Sequence, residues 1–432
     1  MNKHREISRL IYEISKKENM DFRRILKDYD TNKLNFADFK EKLQIRRYLK
    51  TYAIGEKVEP YLPELDIDPK NKVKINEKKQ FYPKNIYFEG RVKDTEILDK
   101  LQNYYRKAEF TEIESFKDYI KENEYTIKTY NDRRENLFVI NEKYDFFKKC
   151  PCTTDCVCCN YYIFNLNFGC PYECTYCYLQ EYTNIPGIVI SANIEDYFKA
   201  VEKDLDKSVR MGNGEFADSL ALDDITGYSA KMIEFFRKYP EIMFEFKTKS
   251  SNIANILKTK PAENVVIAWS MNPQKFIDEN EFFCANLNNR INAAKECINA
   301  GFQVAFHFDP IVFYDNWEED YKNVVDMIFD SMPGEKISWI SLGTFRFSRS
   351  LKKVIENRFP ENKILDGELI PGFDGKLRYN EAIRVDIYRK MAAWIKNRNI
   401  YPYVYLCMES REIWNNCELK PLWHWQGKNS EI

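Results

Sequence analysis

Cys170-Pro-Tyr-Glu-Cys174-Thr-Tyr-Cys177 places three thiols within eight residues. As thiolates they can hold three of the four irons of a cubane [4Fe–4S] cluster and leave one iron open to another ligand. A structural zinc site closes its tetrahedron with four protein ligands, one more than this loop offers. With 12 Cys in 432 residues, random placement would give this spacing in about 1% of such chains. Five more cysteines stand just upstream, in Cys150-Pro-Cys152-Thr-Thr-Asp-Cys156-Val-Cys158-Cys159. Four closely spaced thiolates suffice for zinc or for a second cluster, with Cys407 or Cys417 available as a distant ligand. The alternative is a set of unligated thiols in a hinge. The N-terminus carries no apolar signal-peptide core and no run is long enough to span a bilayer, so a cytoplasmic location is expected. In a reducing cytosol, eight cysteines gathered between 150 and 177 point to metal rather than to a disulfide knot.

Such a loop needs a rigid base. Short apolar runs at 161–167, 216–222, 242–248, 264–270, 302–308 and 337–342 read as strands. Helical patterns separate most of them; Ile291, Ala294 and Ile298 share one face of 288–300. Six strands alternating with helices imply a parallel sheet, open or curled into part of a barrel, with chemistry at the strands' C-terminal ends. The three-Cys loop follows the first of them. A helix at about 378–397 and a strand-like YPYVYL at 401–406 come later.

Residues 1–79 read as a charged helical extension without chemistry of its own. Ile7, Leu10, Ile11 and Ile14, then Phe36, Phe39 and Leu43, recur at helical spacing, and Pro60, Pro63 and Pro69 punctuate a linker. Residues 80–160 read as a small α/β subdomain ending in the Cys-rich segment, with strands at 86–88 and 137–140 and helices around 94–107 and 114–122. Residues 161–358 form the partial barrel and 359–432 a C-terminal cap. Lys+Arg (66) and Asp+Glu (67) nearly cancel, which excludes a polycation or an acidic tail but not a local basic patch.

The CxxxCxxC loop after a first strand, with the aromatic Tyr176 before the last Cys, resembles the radical S-adenosylmethionine (SAM) superfamily. Within it, Cys174-Thr-Tyr-Cys177-Tyr178-Leu-Gln180 resembles the cluster loop of the spore photoproduct lyase family. So do Phe81-Tyr-Pro-Lys-Asn-Ile-Tyr-Phe-Glu89, Phe246-Lys-Thr-Lys249, Trp269-Ser270-Met-Asn272 and Phe345-Arg346-Phe347, in that order over roughly 80–358. The resemblance implies an incomplete (β/α)6 barrel, a [4Fe–4S] cluster on Cys170, Cys174 and Cys177, and SAM held by Lys249, Ser270 and Asn272. It implies Tyr178, with Tyr176, as a hydrogen-atom relay, an electron donor of flavodoxin or ferredoxin type, and DNA as a partner. Gly214-Glu215 resembles the segment with which other radical SAM enzymes hold the SAM amine, and a carboxylate beside a close-approach glycine suits an ammonium group.

The sequence departs from that pattern in two places. The family carries a strand-two Cys that quenches the product radical, whereas 212–219 holds none; and the family lacks the run from Cys150 to Cys159. Repair of thymine dimers therefore does not simply carry over: the resemblance implies radical chemistry on a nucleic-acid base lesion, of thymine-dimer type, with spore-photoproduct repair itself expected to be weak at most and the physiological substrate different or broader. Radical modification of a peptide or small molecule, and a non-catalytic metal or electron-transfer module, are the alternatives. His307 and Asp309 alternate onto one face of the fifth strand, where they either approach the site or form a structural pair. Asp218, Asp223 and Asp224 are either substrate ligands or helix caps. Arg346, Arg349, Lys352 and Lys353 form either a phosphate-binding patch or a solvated helix start. Cys284 and Cys297 read as packing residues.

Overall fold

Seven parallel strands run in sequence order across a curled sheet: β1 (Tyr161–Phe164), β2 (Arg210–Asn213), β3 (Met243–Thr248), β4 (Val265–Ser270), β5 (Gln303–Ile311), β6 (Ile337–Thr344) and β7 (Tyr403–Leu406). Phe147–Lys149 pairs antiparallel with β1 at the other edge. The computed structural model describes residues 2–47, 67–75, 80–123, 125–151, 156–203, 210–372 and 374–420. Cys152, Pro60 and Pro63 lie outside the described residues.

The expected half-barrel is present, with two corrections. The second strand is Arg210–Asn213, not 216–222, which turns over the top of the sheet instead. The apolar residues of that turn, Phe216, Leu220 and Leu222, are buried because they pack beneath neighbouring elements, so burial imitated a strand pattern there. Nor do the described residues of the expected C-terminal cap, 359–432, only cover the barrel: among them β7 hydrogen-bonds to β6 from Trp339↔Tyr403 to Leu342↔Leu406. The helix Glu381–Arg398 leads into it and buries Ile383, Ile387, Met391 and Ile395 at helical spacing.

A smaller sheet stands beside the barrel, in the order Glu109–Ile113, Asn85–Glu89, Asn136–Ile140, Ile188–Ser191, Asn167–Phe168. Its last two strands come from within the expected barrel range, on either side of the three-Cys loop. The chain thus leaves β1, crosses to this sheet, makes the loop, and returns. The loop is anchored in both units before β2 begins. One hydrophobic core runs continuously through both.

The N-terminal helices Asn2–Glu18, Phe22–Lys27 and Phe36–Arg47 close over Leu10, Ile14, Ile25 and Leu43. They dock through charges. Glu13 is bound by Arg9 (2.8 Å), by Arg47 and by Lys352 (3.4 Å), while Glu356 is bound by Arg9 and by Lys352 (2.7 Å). All five are buried. Lys352 therefore belongs to this network and not to the basic patch read from the sequence; the helix Arg349–Arg358 turns that face inward. Burial would raise the Glu13 carboxyl, but Arg47, Lys352 and Arg9 outweigh it and hold it well below the usual carboxylate range. Three cations share two carboxylates, and burial pushes Lys352 down to about 7 against the pull of Glu13.

These signs give a prediction. Between about pH 7 and 10 the unfolded chain binds the Lys352 proton and the folded one does not, so this residue makes stability rise with pH. Lys352→Met should abolish that rise without lowering stability at pH 7, because it removes the surplus buried cation. Glu13→Ala, which strands Arg9 and Arg47, should cost about 3–5 kcal/mol. Urea unfolding of the three proteins at pH 7 and pH 9 tests both statements.

Candidate active site

Glu173 lies between the first two cysteines of the loop, and its carboxylate is clamped by two buried arginines. Arg133 Nη1 donates to Oε2 at 2.7 Å and Arg358 Nη2 to Oε1 at 2.8 Å. Arg133 also donates to the Tyr172 carbonyl (2.7 Å), and Arg358 to Gln180 Oε1 and Asn131 Oδ1 (both 2.7 Å). One arginine comes from the small sheet's unit and the other from the helix after β6. Burial would raise the Glu173 carboxyl, yet Arg133 and Arg358 hold it below its ordinary value.

A second carboxylate fixes the loop's other side. Glu281 takes Arg290 Nη2 at 2.5 Å, Asn272 Nδ2 at 2.9 Å and the Tyr176 hydroxyl. Its backbone pairs with Cys174, and Phe282 with Glu173, in a short antiparallel bridge. Thr175 donates N–H and hydroxyl to the carbonyl and side chain of Asn280 at 2.9 and 2.7 Å.

Between these anchors Cys174 is buried and Cys170 and Cys177 are half-buried. Cys170 and Cys177 pack with Cys150 and Cys159 around Tyr161, Ile163, Leu179 and Phe216. Burial, then Asp218 and the other two thiols, pushes the Cys170 thiol well above its ordinary value. Thiols desolvated against one another in this way suit a cationic iron centre that takes them as thiolates. Among the described residues no three Cys, His, Asp or Glu side chains converge on a single-ion site; a cubane takes its three thiolates on three different irons and does not ask for one.

The remaining expected residues gather at the C-terminal ends of the strands. Gly214 follows β2 with φ 101°, and a Cβ there would stand 2.3 Å from the Lys247 carbonyl, so only glycine fits. Glu215 pairs with Lys247 Nζ at 3.1 Å. The Tyr178 hydroxyl donates to the Glu215 carbonyl just beyond β2, and the residue is 42% exposed. The Tyr176 hydroxyl goes the other way, to Glu281, with Lys249 Nζ 5.8 Å from its ring. The two tyrosines flank Cys177 but serve different sides of it. Ser270 is buried at the end of β4. Asn272 is engaged twice, donating to Glu281 and accepting from the Tyr321 hydroxyl at 2.8 Å.

Asp218 and Asp223 are turn and helix residues. Asp218 accepts from Lys249 N–H and the Thr248 hydroxyl (both 2.6 Å), and Asp223 from the Ser229 N–H (2.8 Å) and hydroxyl (2.6 Å). Asp224 accepts from the Tyr104 hydroxyl at 3.0 Å. His307 is a buried member of the barrel interior, between Glu245 (2.5 Å) and Ser341 (2.6 Å). Asp309 grips Arg346 through both oxygens (3.0 and 3.1 Å), so Arg346 too is withdrawn from the expected patch. Arg346 reaches on to Cys407 Sγ at 3.6 Å, just beyond β7. Cys407 thus stands at the barrel mouth.

The upstream cysteines strap the first strand to the last: Cys150 N–H donates to Tyr161 O, Val157 N–H to Glu409 O, and Cys156 bridges Ser410. Nothing local in the chain marks Glu173 and Glu281 as anchors. A lone carboxylate in a loop reads as solvated, and the partners of Glu173 are 40 and 185 residues away.

A model of spore photoproduct lyase matches residues 81–370. The chain belongs to the spore photoproduct lyase family. Among its relatives, the spore photoproduct lyase of Clostridium acetobutylicum is 26% identical over 241 residues, covering 54% of this chain and 71% of that protein. That of a Geobacillus species is 28% identical over 210 residues, 47% of this chain and 62% of that protein. A solved spore photoproduct lyase complexed with dinucleoside spore photoproduct superposes with a TM-score of 0.66 at 22% identity, over 76% of this chain and all of that one. A mutant of the lyase with bound AdoMet and dinucleoside spore photoproduct gives the same values. The family match covers the small sheet, the three-Cys loop and β1 to β6; the helical extension and β7 lie outside it.

In this family member, removing the clamp leaves two arginines buried without their carboxylate. Glu173→Ala should lower stability by about 3–5 kcal/mol in chemical denaturation. Glu173→Gln, which keeps the shape but loses the charge, should fall between that variant and the native protein.

Proposed function

We propose that this chain is a radical SAM enzyme acting on a nucleic-acid base lesion of the thymine-dimer type, as a cytoplasmic protein. The observation that carries the reading is the three-Cys loop at the end of the half-barrel, rigidly held and facing the strand ends where Glu215, Lys249 and Ser270 gather. Cys170, Cys174 and Cys177 would hold a [4Fe–4S] cluster with one iron left for SAM. When bound and reduced by a flavodoxin- or ferredoxin-type donor, the cluster and SAM supply a 5′-deoxyadenosyl radical for hydrogen abstraction.

The chain's own residues bind and orient. Glu215 takes the SAM ammonium, exchanging its present Lys247 partner for it. Lys249, beside Cys174 and Glu281, takes the SAM carboxylate. Ser270 lines the sugar, and Asn272, already bound to Glu281 and Tyr321, fixes the floor beneath it. Tyr178 relays the hydrogen atom, with Tyr176 behind it on the cluster side. Cys407 stands where a thiol can return hydrogen to a product radical, in place of the cysteine that the second strand lacks. DNA would dock across the mouth, where Lys247 and Arg346 are already neutralised by Glu215 and Asp309 and so do not form a phosphate-binding patch.

Reduced enzyme, SAM and the dinucleotide lesion test the reading together. The native protein should release thymidylyl-thymidine and 5′-deoxyadenosine. Cys174→Ala should release neither, and Cys407→Ala should consume SAM with little thymine product. Undiminished 5′-deoxyadenosine from Cys174→Ala would refute the cluster assignment, and full coupling in Cys407→Ala would refute the thiol's role.

A second metal centre, zinc or iron–sulfur, is proposed on the run Cys150, Cys152, Cys156, Cys158 and Cys159; its described members do not converge on a single ion as they stand, so binding would draw them together. The Cys170/Cys174/Cys177→Ala triple variant should retain zinc, or iron and sulfide, when metals are counted. A metal-free triple variant would show the run to be only a strap.

A further inference from the structure

The turn from Glu281 to Ala285 is tied to the cluster loop and to β3 at once. Glu281 and Phe282 pair with Cys174 and Glu173, and Ala285 N–H donates to the Lys249 carbonyl at 3.0 Å. Inside the turn Phe283 adopts φ 71°, a left-handed backbone uncommon for a bulky residue. Its ring lies 3.7 Å from the Arg134 guanidinium carbon. The turn so held carries Cys284 into contact with Cys174: the two sulfurs are 3.9 Å apart and both residues are buried. That separation is far longer than a disulfide bond of about 2.05 Å and within reach of an S–H···S hydrogen bond. Glu281 and Lys249 lie within electrostatic range of the same two sulfurs. Packing alone would ask only for bulk at this position; the turn instead brings a thiol against one particular sulfur, a contact in which either sulfur can be the donor.

We propose that Cys284 is a positioning residue for the cluster, its thiol donating a hydrogen bond to the Cys174 sulfur when that sulfur is a thiolate ligand. The inference rests on the reading of Cys174 as a ligand. Hydrogen bonds to ligating sulfurs draw off electron density and favour the more negative, reduced cluster. Cys284 thereby makes the cluster easier to reduce while staying off the iron.

Two measurements test this. In the first, native protein, Cys284→Ser and Cys284→Ala are reconstituted anaerobically and titrated with redox mediators, following the electron paramagnetic resonance signal of the reduced cluster. The Ala variant should have a more negative midpoint potential than the native protein, and the Ser variant, which keeps a donor, should lie nearer the native value. Three equal midpoints, or equal shifts in Ser and Ala, would overturn the proposal. In the second, cluster-free native protein is oxidised with diamide and digested without reduction. A peptide pair joined through Cys174 and Cys284 is expected in the mass spectrum, and its absence would overturn the contact. A native protein that takes up no cluster would refute the ligand reading instead, and the cross-linking result would remain readable.

Discussion

The double ion pair at Glu173 is the constraint on which the site depends. A carboxylate taken out of water demands full compensation, and here two arginines supply it from opposite sides of the loop. Arg133 arrives from the small sheet's unit and Arg358 from the helix after β6, so the loop cannot shift without leaving one of them unpaired. Glu281 repeats the device on the other face with Arg290, Asn272 and Tyr176. Short three-Cys loops have little secondary structure of their own; the only regular pairing in this one is the two-residue bridge at Glu173–Cys174. Its geometry is therefore set by buried side-chain charges, at high cost if any one is removed.

The same logic extends outward. Arg346 joins Asp309 on β5 to Cys407 after β7, and the strap around Cys156 and Val157 meets Glu409 and Ser410. Together they bring the last strand to the first across the open side of the half-barrel. The helical extension then docks on the Arg349–Arg358 helix through Glu13 and Lys352, and that helix also supplies Arg358 to the clamp. The extension and the cluster loop thus share one helix as their common support.

Much of this was legible in the chain. The three-Cys spacing, the strand–helix alternation and the short segments in order were enough to place the loop on a half-barrel, because those signals are local in sequence. What escaped were long-range pairings. Nothing near Lys352 announced Glu13, 339 residues away, and its basic neighbours made it look solvated. The run 216–222 looked like a strand because its apolar residues are buried, though as a turn rather than in a ladder, while Arg210–Asn213 carries too few apolar residues to read as a strand. Cys284 looked like packing because its partner, Cys174, lies 110 residues earlier. Tyr178 and Tyr176 read alike in the sequence, and only the fold separates the one bonded to the Glu215 carbonyl from the one bonded to Glu281.

The central claim is that this clamped loop presents a cluster with one iron left for SAM. Mössbauer spectroscopy of protein reconstituted with iron-57 tests it most directly, before and after SAM is added. The account predicts a cubane spectrum in which one iron of the four changes its parameters when SAM binds. Four irons unmoved by SAM, or a spectrum without a cubane, would contradict it.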